Sequence, residues 1–273
     1  MFVYYHYPCY DGEMSKTLWQ TMYPEATYKK YKHQNEYKEL YNYKNEEIVF
    51  LDITPPDKFL LDCNKYLIID HHKNAVETLL EKKQNGENNL NNVNLIYDFN
   101  KSACMLVWGY LHGDDPMLPS VYHIGMKDMW KFSHPDTEPF CAYIETHYSN
   151  DLGDLLNLNN ISKMIEDGKE IIKKDKDYVE SIMTNSKTNI FINTEDNYLI
   201  LNIKTDINKK YYKYMIEYAQ NNYVDCDVLR IDNHPTYSLR RLKDYSNGNP
   251  VNVDSIARKY GGNGHSGAAG YKL

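Results

Sequence analysis

Short apolar runs recur along the first half of the chain, separated by stretches of helical spacing. Phe2-Val3-Tyr4-Tyr5, Ile48-Val49-Phe50-Leu51 and Tyr66-Leu67-Ile68-Ile69 are continuous runs of β-branched, aromatic and aliphatic residues. Such runs predict strands buried on both faces, as in a parallel sheet covered by helices. Residues 13–22 and 102–111 carry apolar positions at helical spacing, with Leu106 and Tyr110 four apart. Residues 83–94 are polar and asparagine-rich, which predicts a surface loop.

From residue 161 to 183 the pattern becomes one long, charged, amphipathic helix. Strands are expected at Ile190-Phe191-Ile192 and Tyr198-Leu199-Ile200-Leu201, then a tyrosine-rich helix over 211–219. A strand pair at 228–231 and 237–240, a helix over 253–259 and a glycine-rich loop at Gly261-Gly262-Asn263-Gly264 complete the chain. The pattern predicts an α/β protein with a larger N-terminal domain whose mainly parallel sheet is flanked by helices. A connecting helix joins it to a smaller α/β C-terminal domain, with boundaries at 1–160, 161–185 and 186–273. No internal repeat is visible.

Polar side chains stand where three of the predicted strands end. His6 and Asp11 follow the first, Asp52 the second, and Asp70-His71-His72 the third. The carboxyl ends of parallel strands line the ligand crevice of an open α/β sheet. Any one of these aspartates is equally well explained as a helix N-cap, and a lone histidine is more often structural. Four polar sites at one topological position make coincidence a poor account. Clustered carboxylates repel one another unless neutralised, and divalent cations do this. Mixed His and Asp donors suit Mn²⁺ better than Mg²⁺, and two ions about 3.5–4 Å apart are a known arrangement for phosphoryl hydrolysis.

Composition narrows the substrate more than the fold. The chain has 273 residues and a net charge of −7, which argues against a protein that grips long duplex nucleic acid. A small phosphorylated substrate stays open, because bound cations supply positive charge locally. There are 27 tyrosines against 7 phenylalanines, a bias that says little about function. Cys9, Cys63, Cys104, Cys141 and Cys226 are odd in number and scattered, so neither a disulfide framework nor a cysteine zinc site is expected. No apolar run approaches membrane-spanning length. The expectation is a soluble, cytoplasmic protein.

In order along the chain, several segments resemble the motifs of the DHH phosphoesterase superfamily, which includes RecJ-like nucleases and nanoRNases. They are His6-Tyr7-Pro8-Cys9-Tyr10-Asp11-Gly12, Asp52-Ile53-Thr54-Pro55-Pro56, Asp70-His71-His72, Ser102-Ala103 with Asp128-Met129-Trp130, and the run from Gly261 to Gly270. The last is similar to the signature of the DHH-associated C-terminal domain. Carried over residue by residue, the resemblance implies that Asp52 bridges two metals and that His6 holds the first. Asp11, His71 and Asp128 would hold the second with Asp52. Asp70 would orient the His71 ring, and His72 would face the substrate phosphate or leaving oxygen. Many members carry Asp where this chain has Cys9. A thiolate there would be a softer ligand, while a buried packing role is as good a reading.

The C-terminal glycines let the backbone approach an anion closely, and a helix C-cap explains Gly261 or Gly262 as well. The resemblance implies that His265 contacts phosphate, with Gly262, Asn263 and Gly264 around it. Arg240 and Arg241 should point to opposite faces of a strand, and Arg240 is taken as the phosphate-binding one. The leading expectation is a phosphodiesterase with two Mn²⁺ ions, Mg²⁺ or Co²⁺ being alternatives, that cleaves short oligonucleotides or dinucleotides to nucleoside monophosphates. Alternatives are a pAp-type bisphosphorylated-nucleotide phosphatase, a cyclic-dinucleotide phosphodiesterase, or a nucleotide-binding regulatory protein with a degraded site. Oligomeric state stays open, a homodimer being one option.

Overall fold

The computed structural model describes residues 1–32, 37–148, 152–157, 160–186, 188–193, 198–246 and 248–273. Elements follow in the order β1 (Phe2–His6), α1 (Tyr10–Met22), β2 (Thr27–Tyr31), β3 (Glu47–Leu51), β4 (Lys65–Ile69), α2 (Lys73–Gln84) and β5 (Val93–Ile96). Four helices come next: α3 (Ala103–His112), α4 (Pro119–Asp128), α5 (Thr137–His147) and α6 (Ile161–Asn185). The five strands form one all-parallel sheet in the order β2-β1-β3-β4-β5. Strand order reverses between β1 and β3, so the topological switch point of the sheet lies there.

Alternation along each strand divides its side chains between two cores. Val3, Tyr5, Val49, Leu51 and Ile69 pack with residues of α1, α3, α4 and α5. Tyr4, Ile48, Phe50, Tyr66 and Ile68 pack on the other face, where α2 contributes Leu79. Both faces are covered, and each fully buried aliphatic or aromatic side chain contributes roughly 1.5–3 kcal/mol. The apolar runs at β1, β3 and β4 are the three inner strands. β2 and β5 lie at the two edges and have no such runs. An edge strand needs less apolar surface, which is why the pattern does not reveal it. The stretch 83–94 is therefore not simply a loop: it holds the end of α2, a 3₁₀ turn at Glu87–Asn92 and the start of β5.

The chain divides into two compact units, Met1–Ile171 and Ile172–Leu273, and the division falls within α6. In the second unit the elements are β6 (Thr188–Asn193), β7 (Tyr198–Lys204), α7 (Tyr212–Asn222), β8 (Val228–Asn233), β9 (Thr236–Arg241), β10 (Tyr245–Ser246), β11 (Asn249–Pro250), α8 (Val253–Lys259), β12 (Asn263–His265) and β13 (Ala268–Lys272). β10 and β11 pair with each other, and the rest form a six-stranded sheet ordered β12-β13-β9-β8-β7-β6. Only the β7–β8 pairing in it is parallel. Val179 and Met183 of α6 and Met215 of α7 pack with Leu201, Ile203, Leu229 and Ile231. Val253 and Ile256 of α8 pack with Ile200, Val228 and Leu239.

The run from Gly261 to Gly264 is not a free loop, because Asn263–His265 pairs with β13. A Cβ on Gly262 would stand 2.1 Å from the Gly270 oxygen, and one on Gly264 2.4 Å from Ala269 Cα. Close packing of the hairpin by itself therefore requires these two glycines.

Gly168 shows the same constraint between helices. A Cβ there would lie 1.9 Å from the carbonyl oxygen of Pro139 in α5. Gly168→Ala should force α5 and α6 apart and cost about 1–3 kcal/mol. Thermal melting followed by circular dichroism should show a lower first transition. An unchanged melting curve would mean that the helices separate at no cost.

Candidate metal centre

Strand register explains why the polar residues meet. Tyr5 pairs with Leu51, and Leu51 with Ile69. The residues that follow each pair, His6, Asp52 and Asp70, therefore stand in a row at the carboxyl edge, across the switch point. Asp52 has φ 60°, a left-handed conformation that aspartate tolerates better than most residues. His6 Nδ1 lies 3.1 Å from Asp52 Oδ2.

His71 Nε2 is the meeting point of three carboxylates. It lies 3.2 Å from Asp128 Oδ2, 3.3 Å from Asp52 Oδ1 and 3.6 Å from Asp11 Oδ2. Cys9 Sγ lies 3.7 Å from Asp128 Oδ1. Three overlapping groups could each hold a cation: His6, Cys9 and Asp52; Asp52, His71 and His72; and Asp11, His71 and Asp128. Within each group the donor atoms lie within 4.8 Å of one another. Asp52 and His71 each belong to two of the groups.

Asp11 is placed by tertiary contact rather than by its own helix. It lies in the first turn of α1, and its carboxylate accepts from the backbone N–H groups of Ala103 at 2.7 Å and Cys104 at 2.9 Å. It thereby caps α3, whose own Ser102 makes no side-chain cap. Hydrogen bonds to a charged group contribute about 1.5–3 kcal/mol each, enough to hold this buried carboxylate while leaving it lone pairs for a cation. The capping role that competed with metal binding in the sequence is thus real, and it fixes the carboxylate in place.

Asp70 acts differently from the expectation. It does not hold the His71 ring. Its Oδ1 accepts from the His71 N–H at 2.7 Å, the His72 N–H at 3.1 Å, and pairs with His72 Nδ1 at 2.7 Å. Its Oδ2 accepts from Thr54 Oγ1 at 2.6 Å. Asp70 therefore fixes the turn and orients His72. Thr54 is a supporting residue to which the sequence reading gave no role. Its signal was its place in the Asp52-Ile53-Thr54 segment.

The electrostatics fit a cation. Burial raises the Asp11 carboxyl to about 7, helped by repulsion from Asp52 and Asp128. Burial works against ionisation of Asp52 too, but hydrogen bonds from His6 and His71 prevail and hold it low. Burial opposes charge on His71, yet Asp128, Asp52 and Asp11 raise it to about 11. Burial and the neighbouring carboxylates push the Cys9 thiol up. Asp52 Oδ1 and His71 Nε2 are buried without a hydrogen bond of good geometry. One imidazolium facing three carboxylates is an incomplete neutralisation that a divalent cation would complete.

The remaining candidate residues lie in the second unit. Arg240 and Arg241 pair with Leu229 and Val228 respectively, so they point to opposite faces. The Arg240 guanidinium donates to the Leu239 carbonyl at 2.8 Å and lies 5.1 Å from the Tyr212 ring. Arg241 pairs with Asp244 at 3.1 Å. Gly262 precedes β12, and Asn263, Gly264 and His265 form that strand at the sheet edge, with His265 exposed.

No established family profile matches the chain. It is 24% identical over 241 residues to an uncharacterized protein, R106, of Acanthamoeba polyphaga mimivirus, a match covering 83% of this chain and 53% of that protein. The chain thus spans about half the length of the curated relative it matches. Its fold is similar to that of a pGpG-specific phosphodiesterase, PggH, of Vibrio cholerae, with a TM-score of 0.52 and 12% identity over 100% of this chain and 93% of that one. Structural neighbours also include Mg²⁺-bound RecJ of Thermus thermophilus, with a TM-score of 0.39 and 9% identity over 100% of this chain and 46% of RecJ. The likeness to PggH is one of fold. No helix among the described residues is long and apolar enough to cross a membrane.

The raised groups give the site a pH signature. At pH 7 His71, at about 11, is charged, and Asp11, at about 7, is half protonated. Cation binding should release about one to two protons at pH 7 and tighten as pH rises. Calorimetry with Mn²⁺ in two buffers of different ionisation enthalpy reads this number directly. The metal-free stability should follow. The His71 contribution is full below about 6.5 and is lost as pH rises through about 11. The Asp11 penalty grows as pH rises from its ordinary value, 3.8, through about 7. Chelated protein should therefore lose stability from pH 5 to 9, and Mn²⁺ should abolish that slope. Zero proton release would mean that these side chains do not bind the cation.

Proposed function

We propose that the chain is a DHH-type phosphoesterase that binds two divalent cations, preferably Mn²⁺, and hydrolyses dinucleotides or short oligonucleotides to nucleoside monophosphates. The observation that carries this reading is the convergence of Asp11, Asp52 and Asp128 on one nitrogen of His71, beside His6 and Cys9. Such a donor set has little use without cations, and it stands at the switch point where α/β sheets bind ligands. The fold neighbour PggH is described as pGpG-specific, and a linear dinucleotide is the size of substrate proposed here.

When bound, the cations supply Lewis acidity toward a phosphate and acidify water. The protein's own groups do the rest. Asp52 would help hold both cations, with His6 and Cys9 on one side and His71 on the other. Asp11, held by two amides, keeps its carboxylate rigid, and rigid positioning is the main protein contribution to phosphoryl hydrolysis. His72 is held at Nδ1 by Asp70 and its side chain is partly exposed. With Nδ1 engaged by Asp70, we assign to its Nε2 the donation of a proton to the leaving oxygen. In the second unit we assign phosphate contact to His265 with Gly262, Asn263 and Gly264, and to Arg240.

Asp52→Ala and His71→Ala should each lower kcat/KM for a dinucleotide by roughly three orders of magnitude, while His72→Ala should lower kcat and leave the number of bound Mn²⁺ ions unchanged. Chelation should abolish turnover, and Mn²⁺ should restore it better than Mg²⁺ or Co²⁺. A panel of dinucleotides, longer oligomers, bisphosphorylated nucleosides and cyclic dinucleotides checks the substrate. Products other than monophosphates, or equal turnover of every member, would overturn this version. Arg240→Ala should chiefly raise KM. If Arg241→Ala does so instead, the opposite face of β9 carries the phosphate.

A further inference from the structure

Asp128 is the last residue of α4, and the chain leaves that helix through Met129, Trp130 and Lys131. The Trp130 N–H donates to the Lys127 carbonyl at 2.9 Å, and the Lys131 N–H to the Met126 carbonyl at 2.8 Å. These two bonds make a Schellman turn, with Trp130 in its left-handed position at φ 59°. Glycine suits that position best, because a Cβ there is crowded by the backbone. Here it carries the largest of the side chains. The indole is also 77% exposed, whereas Trp19 and Trp108 are buried. Trp130 therefore bears backbone strain and an exposed apolar surface together, two residues beyond a candidate metal ligand. Strain of this kind is found at functional sites.

Beside the indole lies a pocket of ≈ 290 Å³. Ile124, Ile144 and Trp130 give it apolar walls, and Asp11 and Asp128 bound it at the candidate metal centre. Phe132 meets the indole edge-to-face, with ring centroids 5.4 Å apart, and braces it. A pocket with apolar walls and a few convergent polar groups suits a small ring system. A phosphate held by cations at Asp11 and Asp128 would bring its own nucleoside to this aromatic wall.

We propose that Trp130 is a base-stacking residue, and that it and this pocket hold the nucleobase attached to the phosphate being hydrolysed. Recognition through a ring face accepts any base, since every base has one. The inference rests on the proposed metal-dependent activity for the position of the phosphate. It adds which part of the substrate is gripped, and by which residue.

The test is binding by the full chain in Mg²⁺, with AMP and ribose 5-phosphate as probes. The two share a phosphate and a sugar, and only AMP has a base. Calorimetry gives both affinities for the wild type and for Trp130→Ala, Trp130→Gly and Trp130→Phe. Trp130→Ala and Trp130→Gly should lower the ratio of AMP to ribose 5-phosphate affinity about tenfold, and Trp130→Phe should keep it within about threefold. AMP should also quench the exposed indole fluorescence, and ribose 5-phosphate should not. Trp130→Gly relieves the left-handed strain, so it should melt higher than the wild type while binding AMP less well. That pairing separates loss of stacking from misfolding.

A ratio unchanged in both Trp130→Ala and Trp130→Gly overturns the inference. So does a Trp130 substitution that dissolves a dimer in sedimentation but leaves the AMP ratio intact. If no phosphodiester is cleaved yet the ratio still falls, the base subsite stands and the proposed activity fails. If dinucleotides are cleaved and the ratio does not move, the activity stands and the subsite fails.

Discussion

Asp11, Asp52 and Asp128 bring three carboxylates to within 3.6 Å of a single imidazole nitrogen, and two of them are almost completely buried. Removing such charges from water costs several kcal/mol per ion unless they are paired. The protein meets that cost in part with its own groups: a proton on His71, a hydrogen bond from His6, and two backbone amides at the start of α3. Much of the first unit is arranged around this repulsion. The switch point between β1 and β3 brings His6 beside Asp52. Helices α1 and α3 pack so that Asp11 reaches the α3 amides, and α4 ends where Asp128 closes the cluster.

The same arrangement explains the division of labour in the Asp70-His71-His72 triplet. Adjacent residues leaving a strand cannot all point the same way. His71 turns to the carboxylates. Asp70 turns back, where Thr54 and the two following amides hold it, and its remaining contact fixes the His72 ring. A buried aspartate with its oxygens engaged is a strut rather than a ligand. The chemistry of the triplet is therefore set by which side chain each geometry leaves available.

The inner strands were legible in the sequence because they are covered on both faces and must be continuously apolar. The edge strands β2 and β5 were not, since only partial burial is asked of them. The polar side chains beyond the strands come together in part: His6, Cys9, Asp11, Asp52, His71 and Asp128 meet within unit Met1–Ile171, while His265, Gly262, Asn263, Gly264 and Arg240 lie in the other. What could not be read was the partner of Asp70, because a ring and an amide one residue apart have the same sequence signature. The glycines at 262 and 264 carry two readings for a related reason. A close backbone approach looks the same in sequence whether the approaching group is a phosphate or a neighbouring strand.

Sequence alone determined the α/β class, the inner strands of the first sheet, the helices α1, α3, α6, α7 and α8, and the kinds of side chain at the strand ends. These follow from local periodicity and from the placement of polar residues just beyond apolar runs, while the spacing did not reveal α2, α4 and α5. Only tertiary structure decided that Asp11 caps α3 rather than its own helix, that Asp70 orients His72, and that Trp130 stands exposed in a left-handed turn beside the carboxylates. Each depends on distances between residues far apart in the chain, 92 positions in the case of Asp11 and Ala103. Such distances are set by strand register and helix packing, which no local pattern encodes.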